Sequence, residues 1–127
     1  MDARQLEILL IDDEDIVGKR LRPMLEKAGY QVEVFTSGRE AIEQLARKTF
    51  DIVISDVRID EVDGLEVLAA VQQHSSRTKT IMITGFATLE LAREALAKGA
   101  FEFIAKPFYP KDLKKVVDKA AAQLRQE

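Results

Sequence analysis

The sequence predicts an α/β protein of the doubly wound kind, (βα)₅ around a five-stranded parallel sheet, on three observations. Five short apolar runs alternate with longer amphipathic stretches. Three of the runs are continuously apolar rather than alternating, as strands are when helices cover both faces of a parallel sheet. Acidic, hydroxyl or basic side chains sit just past the runs, at the positions that form the carboxyl edge of such a sheet.

The elements follow in order. Ile8-Leu9-Leu10-Ile11 is the first strand. The helix after it contains Pro23, and an interior proline costs about 3 kcal/mol and a hydrogen bond, so a kink or an irregular end is expected there. Gly29 suits the left-handed residue that closes this helix. Val32-Glu33-Val34-Phe35 is the second strand, and Ser37 with Glu40 forms a capping box for the next helix. Ile52-Val53-Ile54 is the third strand, with Asp63 and Glu66 as a second capping box. Ile81-Met82-Ile83 is the fourth, and Gly99 closes the helix behind it. Phe101-Glu102-Phe103-Ile104 is the fifth. Pro110 then opens a last helix whose Leu113, Val116, Val117, Ala120 and Leu124 share one stripe.

Composition narrows the function. The 127 residues suit one domain, read as residues 1–127, and 46% apolar residues are enough for a shared core. A net charge of −3 argues against direct nucleic-acid binding by this domain, which calls for a basic face. With no cysteine, disulfides and thiolate chemistry are excluded. No apolar run approaches the roughly 18 residues of a membrane span and no signal-peptide pattern is present, so a cytoplasmic protein is expected.

The informative side chains are Asp12 and Asp13 after the first strand, Ser55 and Asp56 after the third, Thr84 after the fourth and Lys106 after the fifth. A parallel sheet brings them to one edge: three carboxylates, a hydroxyl and an ammonium. Crowded carboxylates repel one another. A hard cation such as Mg²⁺, which takes oxygen ligands and keeps several waters, relieves that repulsion. Such a site is suited to bringing a phosphoryl group to a carboxylate. An aspartate can act as the nucleophile, and the transfer needs mainly positioning and charge neutralisation. Taken singly, each residue has a plainer reading: Asp12 and Asp13 as solvated loop acids, Asp13 as a helix cap, Asp56 as a turn residue, Thr84 as a strand end and Lys106 as a surface cation.

Together the residues resemble the receiver domains of response regulators in two-component signalling. The marks are Ile11-Asp12-Asp13-Glu14, Ser55-Asp56-Val57-Arg58, Asp63-Gly64-Leu65-Glu66, Met82-Ile83-Thr84-Gly85 and Lys106-Pro107-Phe108, in family order over nearly the whole chain. The resemblance implies strand order 2-1-3-4-5, with Asp56 as phosphoacceptor and Thr84 and Lys106 as phosphoryl contacts. It implies Asp13, Asp56 and the backbone carbonyl of Arg58 as direct ligands of Mg²⁺ (or another divalent cation such as Mn²⁺), with Asp12 a ligand through water. Phe103 matches the aromatic switch position, although a strand aromatic is more commonly plain core. The Lys106–Pro107 bond is expected to be cis.

The implied partners are a sensor histidine kinase or histidine phosphotransfer protein and an output domain or effector, with a lean towards transcriptional activators. The domain would be a switch that catalyses only its own phosphorylation and dephosphorylation. Phosphorylation would draw Thr84 inward, let Phe103 rotate and bias the fourth helix, fifth strand and fifth helix. The face around Leu91, Ala95, Lys98, Phe101 and Phe103 is expected to carry output contacts or a homodimer. The sequence departs from the family at Asp60, where a proline is common, and Glu61 adds to the acidity of that loop. Arg58 and Phe86 stand at variable positions that tune phosphoryl lifetime in the family.

Other readings fit less well. Asp13-Glu14-Asp15-Ile16-Val17 matches the nucleophile signature of metal-dependent phosphatases of the haloacid dehalogenase type, but the acidic pair those enzymes need after a later strand is here Thr84-Gly85. His74, the single histidine, falls near the end of a helix beside two serines and is expected to be exposed, with no chemistry. Lys111, Lys114, Lys115 and Lys119 mix with acids as a solvated face.

Overall fold

The computed structural model describes residues 5–57, 62–85 and 89–127. Arg58, Asp60, Glu61 and Phe86 lie outside the described residues. The chain alternates β1 (Glu7–Ile11), α1 (Asp15–Lys27), β2 (Gln31–Phe35), α2 (Gly38–Arg47), β3 (Ile52–Asp56), α3 (Gly64–His74), β4 (Lys79–Thr84), α4 (Leu89–Ala97), β5 (Glu102–Ala105) and α5 (Pro110–Gln126). The strands form one sheet in the order β2-β1-β3-β4-β5, every pair parallel. This is the (βα)₅ architecture that the sequence pattern predicts, with the strand order that the family resemblance implies.

Pleating sorts the apolar runs into two layers. Ile8, Leu10, Ile52, Ile54, Ile81 and Ile83 pack with α1 and α5 through Leu21, Leu25, Leu113, Val117 and Leu124. Leu9, Ile11 and Val53 turn the other way, onto Ala41 and Leu45 of α2 and Val67 and Val71 of α3. Met82 lies with Leu68 of α3 and Ala95 of α4. Both faces of the central strands are therefore buried, which is why their sequences read as unbroken apolar runs.

The helix ends follow the local chemistry. Ser37 Oγ accepts the Glu40 amide at 3.3 Å, and Asp63 Oδ1 accepts the Leu65 amide at 2.8 Å. Gly29 and Gly99 have φ of 103° and 107°. Each closes its helix with paired bonds back to the last turn, Gly29 N–H to Glu26 O with Tyr30 N–H to Leu25 O, and Gly99 N–H to Leu96 O with Ala100 N–H to Ala95 O. Pro23 does not interrupt α1, and the helix ends regularly rather than irregularly. The carbonyl that the proline leaves without an amide belongs to Lys19; both residues are exposed, so water can serve it. Ala95 is fully buried and belongs to the core, not to the outer face on which the sequence placed it; Leu91, Phe101 and Phe103 are half-buried and Lys98 is exposed. His74 is exposed, as expected.

One polar tie joins distant parts of the chain. The Tyr30 hydroxyl, on a residue 5% exposed, donates to Asp118 Oδ1 of α5 at 2.7 Å, and Lys114 holds the other carboxylate oxygen at 2.7 Å. Burial, and then the Asp118 carboxylate, push the Tyr30 phenol well above its ordinary value. A phenol whose folded pKa is raised stabilises the fold fully below its unfolded pKa of 10.0 and loses that contribution as pH rises beyond it. Tyr30→Phe is expected to cost about 1 kcal/mol at neutral pH, and to flatten the alkaline fall in stability. Urea denaturation at neutral and alkaline pH measures both; an unchanged midpoint at neutral pH would rule the tie out as a stabilising contact.

Candidate functional site

The site grows from where the strands stop. Register places Ile11 beside Ser55, Asp56 beside Ile83 and Thr84 beside Ala105. The residues at or just past these ends thus share the carboxyl edge of the sheet. Asp12 is 2% exposed; its Oδ1 accepts the Glu14 amide at 2.9 Å and its Oδ2 faces Lys106 Nζ at 3.0 Å. Asp56 is 6% exposed, and its Oδ2 takes the same ammonium at 2.5 Å. Thr84 is fully buried, and its carbonyl accepts the Lys106 amide at 2.8 Å. The Lys106–Pro107 peptide is cis.

Burial dominates the electrostatics. It raises the Asp12 carboxyl above the ordinary value, against the opposing bonds from the Glu14 amide and Lys106. Burial also works against the Lys106 ammonium, but the hydrogen bonds to Asp56 and Asp12 outweigh it and hold the lysine above its usual value. One ammonium therefore serves two buried carboxylates and stays charged.

Glu14 joins this group. It is the N-cap of α1, yet its side chain makes no capping bond. Its carboxylate lies 3.4 Å from Lys106 Nζ. One oxygen each from Asp12, Glu14 and Asp56 lies within 4.8 Å of the others, a donor set of hard oxygens that suits Mg²⁺ or Mn²⁺. Of the expected metal ligands, the structure brings Asp12 and Asp56 together. Asp13 is exposed and is not one of the three, and the carbonyl of Arg58 lies outside the described residues. Glu14 was visible in the acidic run after β1, but periodicity does not say which acid of a turn faces the edge. Phe103 packs half-buried beside the cluster of Val57, Leu68, Met82, Ala95 and Ala100.

A recess of about 350 Å³ opens beside the site, lined by Val17, Arg20 and Leu21 of α1 and by Lys106, Pro107 and Phe108. No helix among the described residues is long and apolar enough to cross a membrane.

The fold and the sequence are both similar to known proteins. The regulatory protein AtoC of Escherichia coli is 36% identical over 113 residues, covering 89% of this chain and 24% of that protein. The transcriptional regulatory protein ZraR of Escherichia coli is 33% identical over 122 residues, covering 96% and 28%. The chain thus spans about a quarter of the length of these relatives. A response regulator receiver domain protein (CheY-like) from Methanospirillum hungatei superimposes with a TM-score of 0.89 at 29% identity, over 98% of this chain and 100% of that one. The beryllofluoride-activated NtrC4 receiver domain dimer gives 0.87 at 28% identity, over 93% and 98%. The family model for the response regulator receiver domain matches residues 8–118. With that span covered, and with acids and a lysine meeting at the carboxyl edge of a 2-1-3-4-5 sheet, this chain belongs to the response regulator receiver domain family.

Proposed function

We propose that residues 1–127 form one receiver domain that accepts a phosphoryl group on Asp56 from the phosphohistidine of a sensor kinase or phosphotransfer protein. The observation that carries this reading is the Asp56 carboxylate, buried at the end of β3 and held by Lys106 beside Asp12. A carboxylate oxygen of Asp56 attacks phosphorus and the P–N bond to the donor imidazole breaks. The electron pair returns to the imidazole nitrogen, leaving an acyl phosphate on Asp56. No general base is needed, because a carboxylate nucleophile has no proton to give up as it attacks. Lys106 stands where it can neutralise both the attacking carboxylate and the phosphoryl oxygens. Asp12, Glu14 and Asp56, with Asp13 and the Arg58 carbonyl as family-implied ligands, would hold Mg²⁺ or Mn²⁺. When bound, the cation supplies positive charge against the carboxylates and the phosphoryl group. The recess beside Lys106 leaves room for the donor's histidine-bearing surface to approach.

The domain acts as a switch, turning over no separate substrate. Thr84, buried at the end of β4, reports the new charge to Phe103 on the neighbouring strand. The pair biases a two-state equilibrium in α4, β5 and α5. Leu89 at 66% and Leu96 at 47% exposure, with Leu91 half-buried, give α4 an apolar outer face for an output domain or a second copy. The relatives' names support a transcriptional output, and the NtrC4 receiver dimer supports pairing of receivers. We place the protein in the cytoplasm, with no direct nucleic-acid contact by this domain.

The test is intact-protein mass after incubation with acetyl phosphate and Mg²⁺. The expected result is a gain of one phosphoryl group, removed by hydroxylamine as an acyl phosphate is, and mapping to the peptide that contains Asp56. A gain that resists hydroxylamine, or maps elsewhere, would overturn the assignment.

A further inference from the structure

The amino end of α3 is seated directly against the backbone that carries Asp56. Gly64, the first residue of that helix, is buried, and its N–H donates to Val57 O at 2.7 Å. A Cβ at this position would fall inside contact distance of the Asp56 carbonyl oxygen, 2.7 Å from Val57 Cα and 3.1 Å from the Asp56 carbonyl carbon. These are all backbone atoms, which no rotamer change can clear. Among the described residues, only Gly29 and Gly99 have positive φ, so backbone freedom is not what position 64 needs. It needs the absence of a side chain. The Asp63 carboxylate, capping the Leu65 amide, keeps the helix start in place.

We infer that Gly64 is a positioning residue for phosphoryl transfer: its bare Cα lets α3 seat against the Asp56–Val57 peptide, and that seat sets where the Asp56 carboxylate stands relative to Lys106 and Asp12. The inference rests on the reading of Asp56 as the acceptor. A Cβ must move either the helix or the peptide. Displacement of a reacting group by about 1 Å costs on the order of 100-fold in rate.

The experiment compares Gly64→Ala with wild type and with Gly29→Ala. Gly29→Ala is strained by its positive φ at the opposite edge of the sheet, where a Cβ meets nothing within 4 Å. Two quantities are read on protein shown to be folded by circular dichroism: the rate of labelling by acetyl phosphate, and Mg²⁺ affinity by calorimetry. Gly64→Ala is expected to label about 100-fold more slowly and to bind Mg²⁺ more weakly, while Gly29→Ala loses thermal stability but keeps both. A folded Gly64→Ala protein with wild-type labelling and Mg²⁺ affinity overturns the positioning role. Wild type that takes no label defeats the acceptor reading instead. Should Gly64→Ala fail to fold, Asp63→Ala loosens the same seat without adding an atom. It is expected to weaken Mg²⁺ binding several-fold, with Asp63→Asn, which keeps the cap, unaffected. Equal affinity in the two Asp63 variants would also overturn the inference.

Discussion

Asp56→Asn is expected to take phosphoryl incorporation from acetyl phosphate to zero while the protein still folds. The change keeps shape and volume but replaces an ionised oxygen nucleophile with an amide, whose lone pair is delocalised into its carbonyl. Asp12 and Glu14 stand within 4.8 Å but start from other elements, and Lys106 Nζ holds Asp12 at 3.0 Å, so neither occupies the end of β3 from which Asp56 attacks. The fold should tolerate the change because the site is crowded with negative charge. Three carboxylates meet within 4.8 Å, and neutralising one removes its repulsion with the other two. Lys106 keeps Asp12 at 3.0 Å and Glu14 at 3.4 Å. Intact mass and a thermal melt on the same sample decide it. An Asn variant that still gains a hydroxylamine-labile phosphoryl group would move the acceptor to another residue.

Lys106→Ala is the second large effect, and it separates stability from chemistry. The ammonium holds two carboxylates that are almost fully buried, Asp12 and Asp56. Removing one partner of a buried ion pair costs roughly 3–5 kcal/mol when burial is complete. Lys106 is 20% exposed and water can enter the gap, so about 2 kcal/mol is expected here. Mg²⁺ brings positive charge to the same carboxylates, and binding to the folded state alone adds stability. The melting temperature should therefore fall most in metal-free buffer and recover in part with Mg²⁺. The metal-free deficit should also shrink on acidification. Asp12 is raised above 3.8 in the folded protein, so its contribution to stability is present at low pH and lost as pH rises. Without Lys106 that loss deepens at neutral pH. Labelling should slow by about 10²–10³-fold even with Mg²⁺ present, the effect of losing one preorganised charge at the reacting centre. Melting curves with and without Mg²⁺ across pH, alongside labelling rates, measure all three. A variant that melts alike in both buffers would show that lysine and cation do not share the carboxylates.

The sequence by itself determined the elements, their order and the residues that end the strands. Unbroken runs such as Ile52-Val53-Ile54 announce strands buried on both faces, because helices above and below leave no polar side. Ser37, Gly29, Gly99 and Pro110 mark helix ends through backbone chemistry that acts within a turn. Asp12, Asp56, Thr84 and Lys106 were legible as one site because parallel strands must bring their carboxyl ends to the same edge. Tertiary structure alone decided what depends on direction and on close approach. It set the Glu14 carboxylate against Lys106, 92 positions away in the chain, and left Asp13 outside the group of three carboxylates. It put Ala95 inside the core, where α4 packs with Met82 and Leu68. It carried α1 through Pro23, where Lys19 and Pro23 are both exposed and water can serve the freed carbonyl. It joined Tyr30 to Asp118 across 88 positions of the chain. And it made Gly64 a matter of space between two backbones, which no local pattern encodes because the atoms concerned come from different elements.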